Sequence, residues 1–360
     1  MSRSLWSIVV GAFLALATIT SSARAEEKPA VIRIAFPGVG VGNRPYVGGH
    51  TTAVMHLRGM LEEEFKKDGI KVTWTFLRGA GPATNELYAN GLADFSLLGD
   101  LPSIIGHSGG LKTRVLAATG IRMNTYIAVP ADSPVNSVKD LKGKRVAIFK
   151  GTNMQLAASK ILETHGLKEK DLKVVNMDTA TARAAIITND VDAVVGGPEL
   201  LALRDQQTAK LIYNSAKDAG PLRHCSFVGH ENFIKKYPEI TKRVVKVLVQ
   251  AAKWTSDQEA TPNTVYQLWA KSGTPYSNFK EDTGNRSLKT LSSPLLDPYL
   301  ISQYTKNVEE AKRFGLIRNT FSVQEWIEPR FLNEVLKELK LESFWQPVDA
   351  SGGGKLAANN

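Results

Sequence analysis

The sequence predicts an α/β protein of two lobes, each with a mostly parallel β-sheet flanked by helices, and two crossover segments between the lobes. Three observations lead to this fold class. Apolar runs typical of buried strands alternate with runs of helical period. The same order of strands and helices occurs twice, over residues 31–99 and 145–197, and the chain turns helical after residue 229. Alternating strands and helices favour parallel sheets, because each connection must return across a sheet face.

The first repeat is predicted to contain, in order, a strand at 31–36, a glycine-rich loop to His50, a helix at 52–67, a strand at 71–77, a short helix through 87 and a strand at 94–99. The second repeat is predicted to contain strands at 145–150, 172–177 and 192–197, with helices at 153–165 and 181–188 between them. Both repeats close on an Asp, four small or apolar residues and a Gly.

Two extended segments, 126–130 and 225–229, are expected to connect the lobes. One lobe then comprises residues 26–124 with 226–345, and the other comprises 125–225. Apolar residues with helical period predict a buried helix around 240–251, and further helices are expected at 297–314 and 323–339. The glycine-rich end places residues 346–360 in a disordered tail.

Length and composition agree with a folded protein of about two domains. Of the 360 residues, 43% are apolar and 22% are charged, which excludes a disordered chain. Cys225 is the one cysteine in the sequence, so neither an intrachain disulfide nor a cysteine zinc cage can form.

The N-terminus has the pattern of a secretory signal peptide. Arg3 precedes an apolar run at residues 8–19, and Ala23-Arg24-Ala25 forms a small-x-small cleavage site. We expect residues 1–25 to be removed after Ala25 and the mature protein to be periplasmic. The net charge of +10 falls to +8 when Arg3 and Arg24 are lost, which weakly favours anionic partners. The basic residues are scattered, which argues against nucleic-acid binding.

Four segments resemble a known family. They are Gly99-Asp100-Leu101-Pro102, the stretch 137–147 (SVKDLKGKRVA), Lys150-Gly151-Thr152-Asn153, and 182–185 with 190–193. In order and spacing, nearly the whole mature chain resembles the periplasmic substrate-binding proteins of ABC importers in the aliphatic sulfonate, taurine and nitrate group.

This resemblance implies a type II periplasmic-binding fold, a small anionic or zwitterionic, sulfonate-like ligand held between the lobes, and delivery to an importer permease. We expect a monomer without a cofactor. Two alternatives stay open: a receptor for a pyrimidine-type vitamin precursor or another aromatic ligand, and an exported enzyme on the same fold. Gly196-Gly197-Pro198 replaces an aromatic and an acidic residue common in the family's sulfonate binders, and the loop 38–50 is longer than usual.

The candidate ligand-binding residues lie where predicted strands end and helices begin, since helix N-termini present free N–H groups to anions. In the second lobe they are Lys150, Gly151, Thr152, Asn153, Gly197 and Glu199. Asn153 is alternatively a helix cap, and Glu199 either a first-turn acid or a partner for an amine.

In the first lobe the candidates are Gly81, Pro82, Gly99, Asp100 and Leu101, together with Asn43, Arg44 and Tyr46 of the glycine-rich loop. Asp100 is alternatively an N-cap, and the loop residues are alternatively solvated. No metal site and no catalytic constellation emerges, because the six histidines are scattered and Cys225 lies on an expected crossover strand.

Overall fold

The computed structural model describes residues 27–352. The predicted signal peptide lies outside the described residues, and so do residues 353–360 of the predicted tail. Within residues 27–352, no helix is both long and apolar enough to cross a membrane.

Between residues 27 and 352, ten strands form two five-stranded sheets. The strands are β1 (Val31–Phe36), β2 (Lys71–Phe76), β3 (Phe95–Gly99), β4 (Thr113–Met123), β5 (Tyr126–Pro130), β6 (Arg145–Ala147), β7 (Lys173–Val175), β8 (Ala193–Gly196), β9 (Ala209–Asn214) and β10 (Arg223–His230). The first sheet has the order β2-β1-β3-β10-β4 and the second has the order β7-β6-β8-β5-β9. In each sheet three strands run parallel, and the strand that arrives from the other sheet pairs antiparallel. The predicted α/β fold class is confirmed.

The two segments predicted as crossovers are strands inside the sheets. β5 pairs with β8 and β9, and β10 pairs with β3 and β4. The physical reason is that buried backbone N–H and C=O groups need partners, which a sheet supplies. The connections themselves are Asn124-Thr125 and residues 215–222. They are tied together, since the Ser215 N–H donates to the Thr125 carbonyl and the Thr125 N–H donates to the Ser215 hydroxyl.

Fifteen α-helices cover the sheets within the described residues. They are α1 (Thr51–Leu57), α2 (Met60–Phe65), α3 (Ala80–Ala89), α4 (Asp100–Ser108), α5 (Asn153–Thr164), α6 (Thr179–Ile187), α7 (Glu199–Asp205), α8 (Glu231–Lys236), α9 (Pro238–Asp257), α10 (Asn263–Trp269), α11 (Tyr276–Thr283), α12 (Leu288–Leu291), α13 (Pro298–Arg313), α14 (Val323–Trp326) and α15 (Arg330–Glu338). The stripe predicted around 240–251 is the buried face of α9.

Two predicted helices are each broken in two. The helix expected at 52–67 breaks at Gly59, whose φ of 61° lies in the left-handed region that glycine adopts easily. The helix expected at 323–339 breaks before Pro329, because proline lacks an N–H and disfavours helical geometry in the preceding residue. Two strands, β4 and β9, were not predicted.

Residues 346–352 of the predicted disordered tail are placed against α13. The Val348 N–H donates to the Asp297 carboxylate at 3.0 Å, and its carbonyl accepts from the Tyr299 N–H at 3.1 Å. The prediction was wrong here because Asp297, the N-cap of α13, holds one more N–H than the cap alone requires.

Each sheet packs against two apolar clusters, and Leu156 of α5 joins one cluster of the first sheet. Ile32, Phe95 and Phe227 anchor the core between the first sheet and α9, whereas Val129, Val146 and Ile161 anchor a core beneath α5 in the second. This arrangement leaves the carboxyl ends of β1, β3, β6 and β8 facing a common cleft.

Candidate functional site

A cavity of about 310 Å³ lies between the two sheets, where the parallel strands end. Phe36 and Gly99 line the cavity at strand ends of the first sheet, and Phe149 and Gly197 line it at strand ends of the second. Ligands in open α/β sheets bind outside the carboxyl ends of the strands. The volume is at the lower end of ordinary small-molecule sites, so the ligand is small.

Thr152 organises the start of α5. Its hydroxyl accepts a hydrogen bond from the Met154 N–H at 3.3 Å and donates to the Phe149 carbonyl at 2.7 Å. Thr152, and not Asn153, is therefore the N-cap of α5. Asp178 caps α6 in the same way, accepting from the N–H groups of Ala180 and Thr181 at 3.0 and 3.1 Å. These helix starts point positive dipole ends at the cleft.

The structure brings six of the fourteen candidate residues to the cavity wall. These are Gly81, Gly99, Thr152, Asn153, Gly197 and Glu199. The other eight do not line it: Asn43, Arg44, Tyr46, Pro82, Asp100, Leu101, Lys150 and Gly151.

The loop residues face away from the cavity for a steric reason. Asn43, Arg44 and Tyr46 are exposed, and the Tyr46 ring packs on His56 at 5.7 Å. The loop presents its backbone to the cleft through Gly48, where a Cβ atom would lie only 2.6 Å from Phe279. The loop thus closes one wall of the cavity by packing on α10 and α11.

Asp100 is buried below the cavity, with 2% of its surface exposed. Its carboxylate accepts from the N–H groups of Leu101 and His224 and from the Asn307 amide, at 2.7, 3.2 and 3.1 Å. Burial raises the pKa of this carboxyl to about 6. Asp100 does not line the cavity, and it is not the N-cap of α4, since Gly99 occupies the cap position.

Two of the predicted glycines lie where the two lobes come into close contact. A Cβ on Gly99 would lie 2.9 Å from Asn153 Nδ2, and one on Gly151 would lie 2.9 Å from Pro82. Asn153 also donates to the thiol of Cys225 at 3.8 Å. These glycines therefore allow close packing between the two lobes.

The carboxylates on the cavity wall already have partners. Asp178 accepts from α6 and from Arg78 Nε at 3.1 Å, and Glu199 accepts from the Gly197 N–H at 2.8 Å. Asp282 accepts from Tyr126 and Asn124 at 2.7 and 3.1 Å. An ammonium group on a ligand would have to compete with these bonds.

Most cleft arginines are also engaged. Arg78 binds Asp178 and Thr181, and Arg223 binds Thr125 and the Asn124 carbonyl. Arg286 donates to the carbonyls of Thr283, Asp282 and Arg122, and Arg122 stacks on Tyr299 and donates to Gly352.

Arg183 is different. It lines the cavity from α6, its Nε atom is buried without an acceptor, and within residues 27–352 its side chain has no hydrogen bond or ion pair. A guanidinium stays charged and offers a fork of donors, which suits a sulfonate or carboxylate. The sequence analysis missed Arg183, although it is the one charged side chain in the helix sequence TATARAAII.

His50 is a neutral group on the same wall. Burial and the nearby Arg223 lower the pKa of its imidazole to about 4. Its Nδ1 atom and the Thr51 hydroxyl are both buried without partners.

Four aromatic side chains line the cavity. Phe36, Trp269 and Phe279 come from the first half, and Phe149 comes from the second. Trp269 and Phe279 meet edge to face at 5.6 Å. Phe149 is partly exposed and makes no ring contact with another aromatic residue in the described chain. Leu288 and Leu291 extend the apolar wall.

The wall shows no arrangement for nucleophilic catalysis. Cys225 lines the cavity, but burial raises the pKa of its thiol to about 12, so the thiolate that would attack is not formed at neutral pH. Among residues 27–352, no group of three or more His, Cys, Asp or Glu side chains lies close enough together to hold a metal ion.

Comparison with known proteins agrees with this geometry. Residues 65–261 match the NMT1/THI5-like family model. A candidate aliphatic sulfonates-binding protein from Bacillus subtilis (strain 168) is 30% identical over 204 residues, which is 56% of this chain and 60% of that protein. The chain thus aligns with less than two thirds of this curated relative's length.

Two solved structures share the fold. The candidate periplasmic sulfonate-binding protein SsuA from Methylobacillus flagellatus KT is 33% identical, with a TM-score of 0.73 over 89% of this chain and 97% of that one. The desulfurization enzyme DszB is 16% identical, with a TM-score of 0.63 over 86% of this chain and 99% of that one, which shows the fold alone. The match over more than half of the sequence establishes that the chain belongs to the NMT1/THI5-like family.

Proposed function

We propose that the protein is a periplasmic receptor that captures a small organic anion of the sulfonate type in the cleft and delivers it to an ABC importer. One observation carries this proposal: Arg183, a charged guanidinium on the cavity wall, has no partner within residues 27–352. The Arg183 side chain is partly exposed, so its guanidinium is available to an anionic ligand.

The surroundings of Arg183 also favour a negatively charged ligand. The starts of α5 and α6 point at the cleft, and their dipoles favour a negative group. The wall carries Arg78, Arg122, Arg223 and Arg286 besides Arg183, while its three carboxylates are all bonded. The family relatives with sulfonate-binding names point to the same chemistry.

Capture by closure is supported by groups that bridge the two halves. Lys160 of α5 donates to Asn307 of α13 at 3.1 Å and pairs with Glu310 at 2.7 Å. On another side Arg204 pairs with Glu281. A ligand that contacts both halves would favour the closed arrangement because it binds that arrangement more tightly.

The remaining parts of the proposal follow from the sequence and the two sheets. The two sheets support lobes formed by 26–124 with 226–345, and by 125–225. The signal pattern supports cleavage after Ala25 and export to the periplasm, which N-terminal sequencing of secreted protein would test. The partners are the ligand and the importer permease, and size-exclusion chromatography with light scattering should show a monomer.

A thermal-shift screen of the protein beginning at Glu26 tests the function. The panel contains alkanesulfonates, nitrate, acetate, a simple amine and uracil. A sulfonate at about 100 times its dissociation constant should add about 2.7 kcal/mol to the stability and raise the melting temperature. Stabilisation by the amine or uracil alone would contradict the proposal.

A further inference from the structure

We infer that the ligand carries an aromatic ring on its anionic group, so that the preferred class is an arenesulfonate. This inference rests on the proposed function, which it narrows. It is drawn from the distribution of charge, rings and free polar atoms over the cavity wall.

Arg183 indicates where the anionic group of the ligand binds. Its guanidinium lies on α6 of the second lobe and lacks a partner in the described chain. Phe149 and Glu199 share this part of the wall with Arg183, since all three side chains line the cavity and also a small adjoining pocket. A ring attached to the anion would therefore lie near Phe149.

The first lobe supplies the opposite wall. Trp269 and Phe279 form a T-shaped pair there, with 7% and 6% of their surface exposed. Phe36, Leu288 and Leu291 complete this wall. Aromatic rings attract one another in stacked and edge-to-face arrangements beyond the area that they bury.

The charges on the wall favour an anion over a zwitterion, since five arginines face three carboxylates. Asp178 pairs with Arg78 and Asp282 accepts from Tyr126, so an ammonium group on the ligand would compete with bonds within the protein. Glu199 accepts one N–H, from Gly197, at Oε1. Zwitterions such as taurine meet this competition and also lack the ring.

The size of the cavity agrees with this class. A cavity of about 310 Å³ is far larger than the ~10–15 Å³ that one ordered water needs, so nitrate or sulfate would leave most of it unfilled. Filling the remainder with an apolar ring removes both ring and wall from water.

Calorimetric titration of the wild-type protein with benzenesulfonate, hexane-1-sulfonate, taurine and benzyl alcohol tests the inference. The two sulfonates match in carbon number and charge, so they differ in the ring. Benzenesulfonate should bind more tightly than hexane-1-sulfonate by about two- to tenfold, and taurine and benzyl alcohol should bind far more weakly. Equal or tighter binding of hexane-1-sulfonate or taurine would overturn the inference.

The variant Phe149→Leu keeps an apolar side chain and removes the ring. The affinity for benzenesulfonate should fall by about two- to tenfold, whereas the affinity for hexane-1-sulfonate should change less than twofold. Phe314→Leu, which removes a partly buried ring outside the cavity, should change neither. If Phe149→Leu melts early, Phe279→Leu replaces it from the other lobe. Equal weakening of both sulfonates would overturn the inference.

The outcomes distinguish failure of the aromatic ligand class from failure of the anion-receptor function. Binding of hexane-1-sulfonate without benzenesulfonate refutes the aromatic class and leaves the receptor function standing. Binding of benzyl alcohol alone, or of none of the sulfonates, refutes the anionic receptor function as well.

Discussion

Gly99 at the end of β3 and Asn153 at the start of α5 face each other so closely that a Cβ atom on Gly99 would lie 2.9 Å from Asn153 Nδ2. These residues belong to different lobes, and they meet at the edge of the cavity. In the proposed receptor, closure would bring both walls onto the ligand through this approach.

Gly99→Ala should therefore impede closure. We expect sulfonate affinity to fall by about tenfold, which corresponds to about 1.4 kcal/mol. Small-angle scattering should show the expanded form even with ligand present. The double variant Gly99→Ala/Asn153→Gly removes the opposing side chain and should recover most of the affinity. No recovery in the double variant would contradict this account of the contact.

Thr152→Ala should act on stability more than on affinity. The hydroxyl caps α5 and bonds to the Phe149 carbonyl, so its loss should cost about 1 kcal/mol of unfolding free energy. Sulfonate affinity should change less than threefold. Urea unfolding and calorimetry measure the two quantities, with Thr152→Ser as the control that keeps the cap. A tenfold loss of affinity at unchanged stability would assign the hydroxyl to the ligand instead.

The charge pair Lys160–Glu310 should contribute to closure. Each single reversal, Lys160→Glu or Glu310→Lys, should weaken ligand binding by roughly two- to fivefold, since partly exposed pairs contribute about 0.2–1 kcal/mol. The double reversal restores opposite charges and should recover binding. If the double variant binds as weakly as the worse single variant, the pair does not act in closure.

Asp100 should make stability depend on pH. Its folded pKa of about 6 lies above the ordinary value of 3.8, so between these values the folded protein binds more protons than the unfolded chain. The contribution of this group to stability is therefore full below about pH 4 and is lost as the pH rises to about 6.

The variant Asp100→Asn isolates this effect. From pH 4 to pH 7, its unfolding free energy should rise relative to that of the wild type by about 2–3 kcal/mol, as expected for a shift of about two pKa units. Urea unfolding at both pH values measures the change. A difference that stays constant with pH would show that the carboxyl titrates at its ordinary value.

The sequence predicted the framework of the fold because local patterns specify it. The apolar run Val31–Phe36 and the breaks at Asn90-Gly91 and Asn189-Asp190 mark strands and turns without tertiary information. β4 was missed, since it is buried on both faces and contains Gly120, so it lacks the alternation that marks a half-buried strand.

Six of the fourteen residues predicted from the sequence line the cavity, and eight do not. Strand ends and helix starts indicated Thr152 and Gly197, but a side chain's direction depends on how its helix packs. Arg183 faces the cavity because Ala182, Ala185 and Ile186 turn the other face of α6 to the core. Arg44 seemed equally suited in sequence, yet its loop packs with backbone inward.

Titration calorimetry of Arg183→Gln against Arg44→Gln shows whether the cleft recognises an organic anion through Arg183. Both variants remove one arginine charge, but of these two residues Arg183 lines the cavity and Arg44 does not. The account predicts that Arg183→Gln weakens benzenesulfonate and hexane-1-sulfonate by roughly one to two decades, as expected for loss of a charged hydrogen bond worth about 1.5–3 kcal/mol, while Arg44→Gln binds both like the wild type. Unchanged affinity in Arg183→Gln, with the variant folded, would contradict the claim that this cleft recognises an organic anion through Arg183.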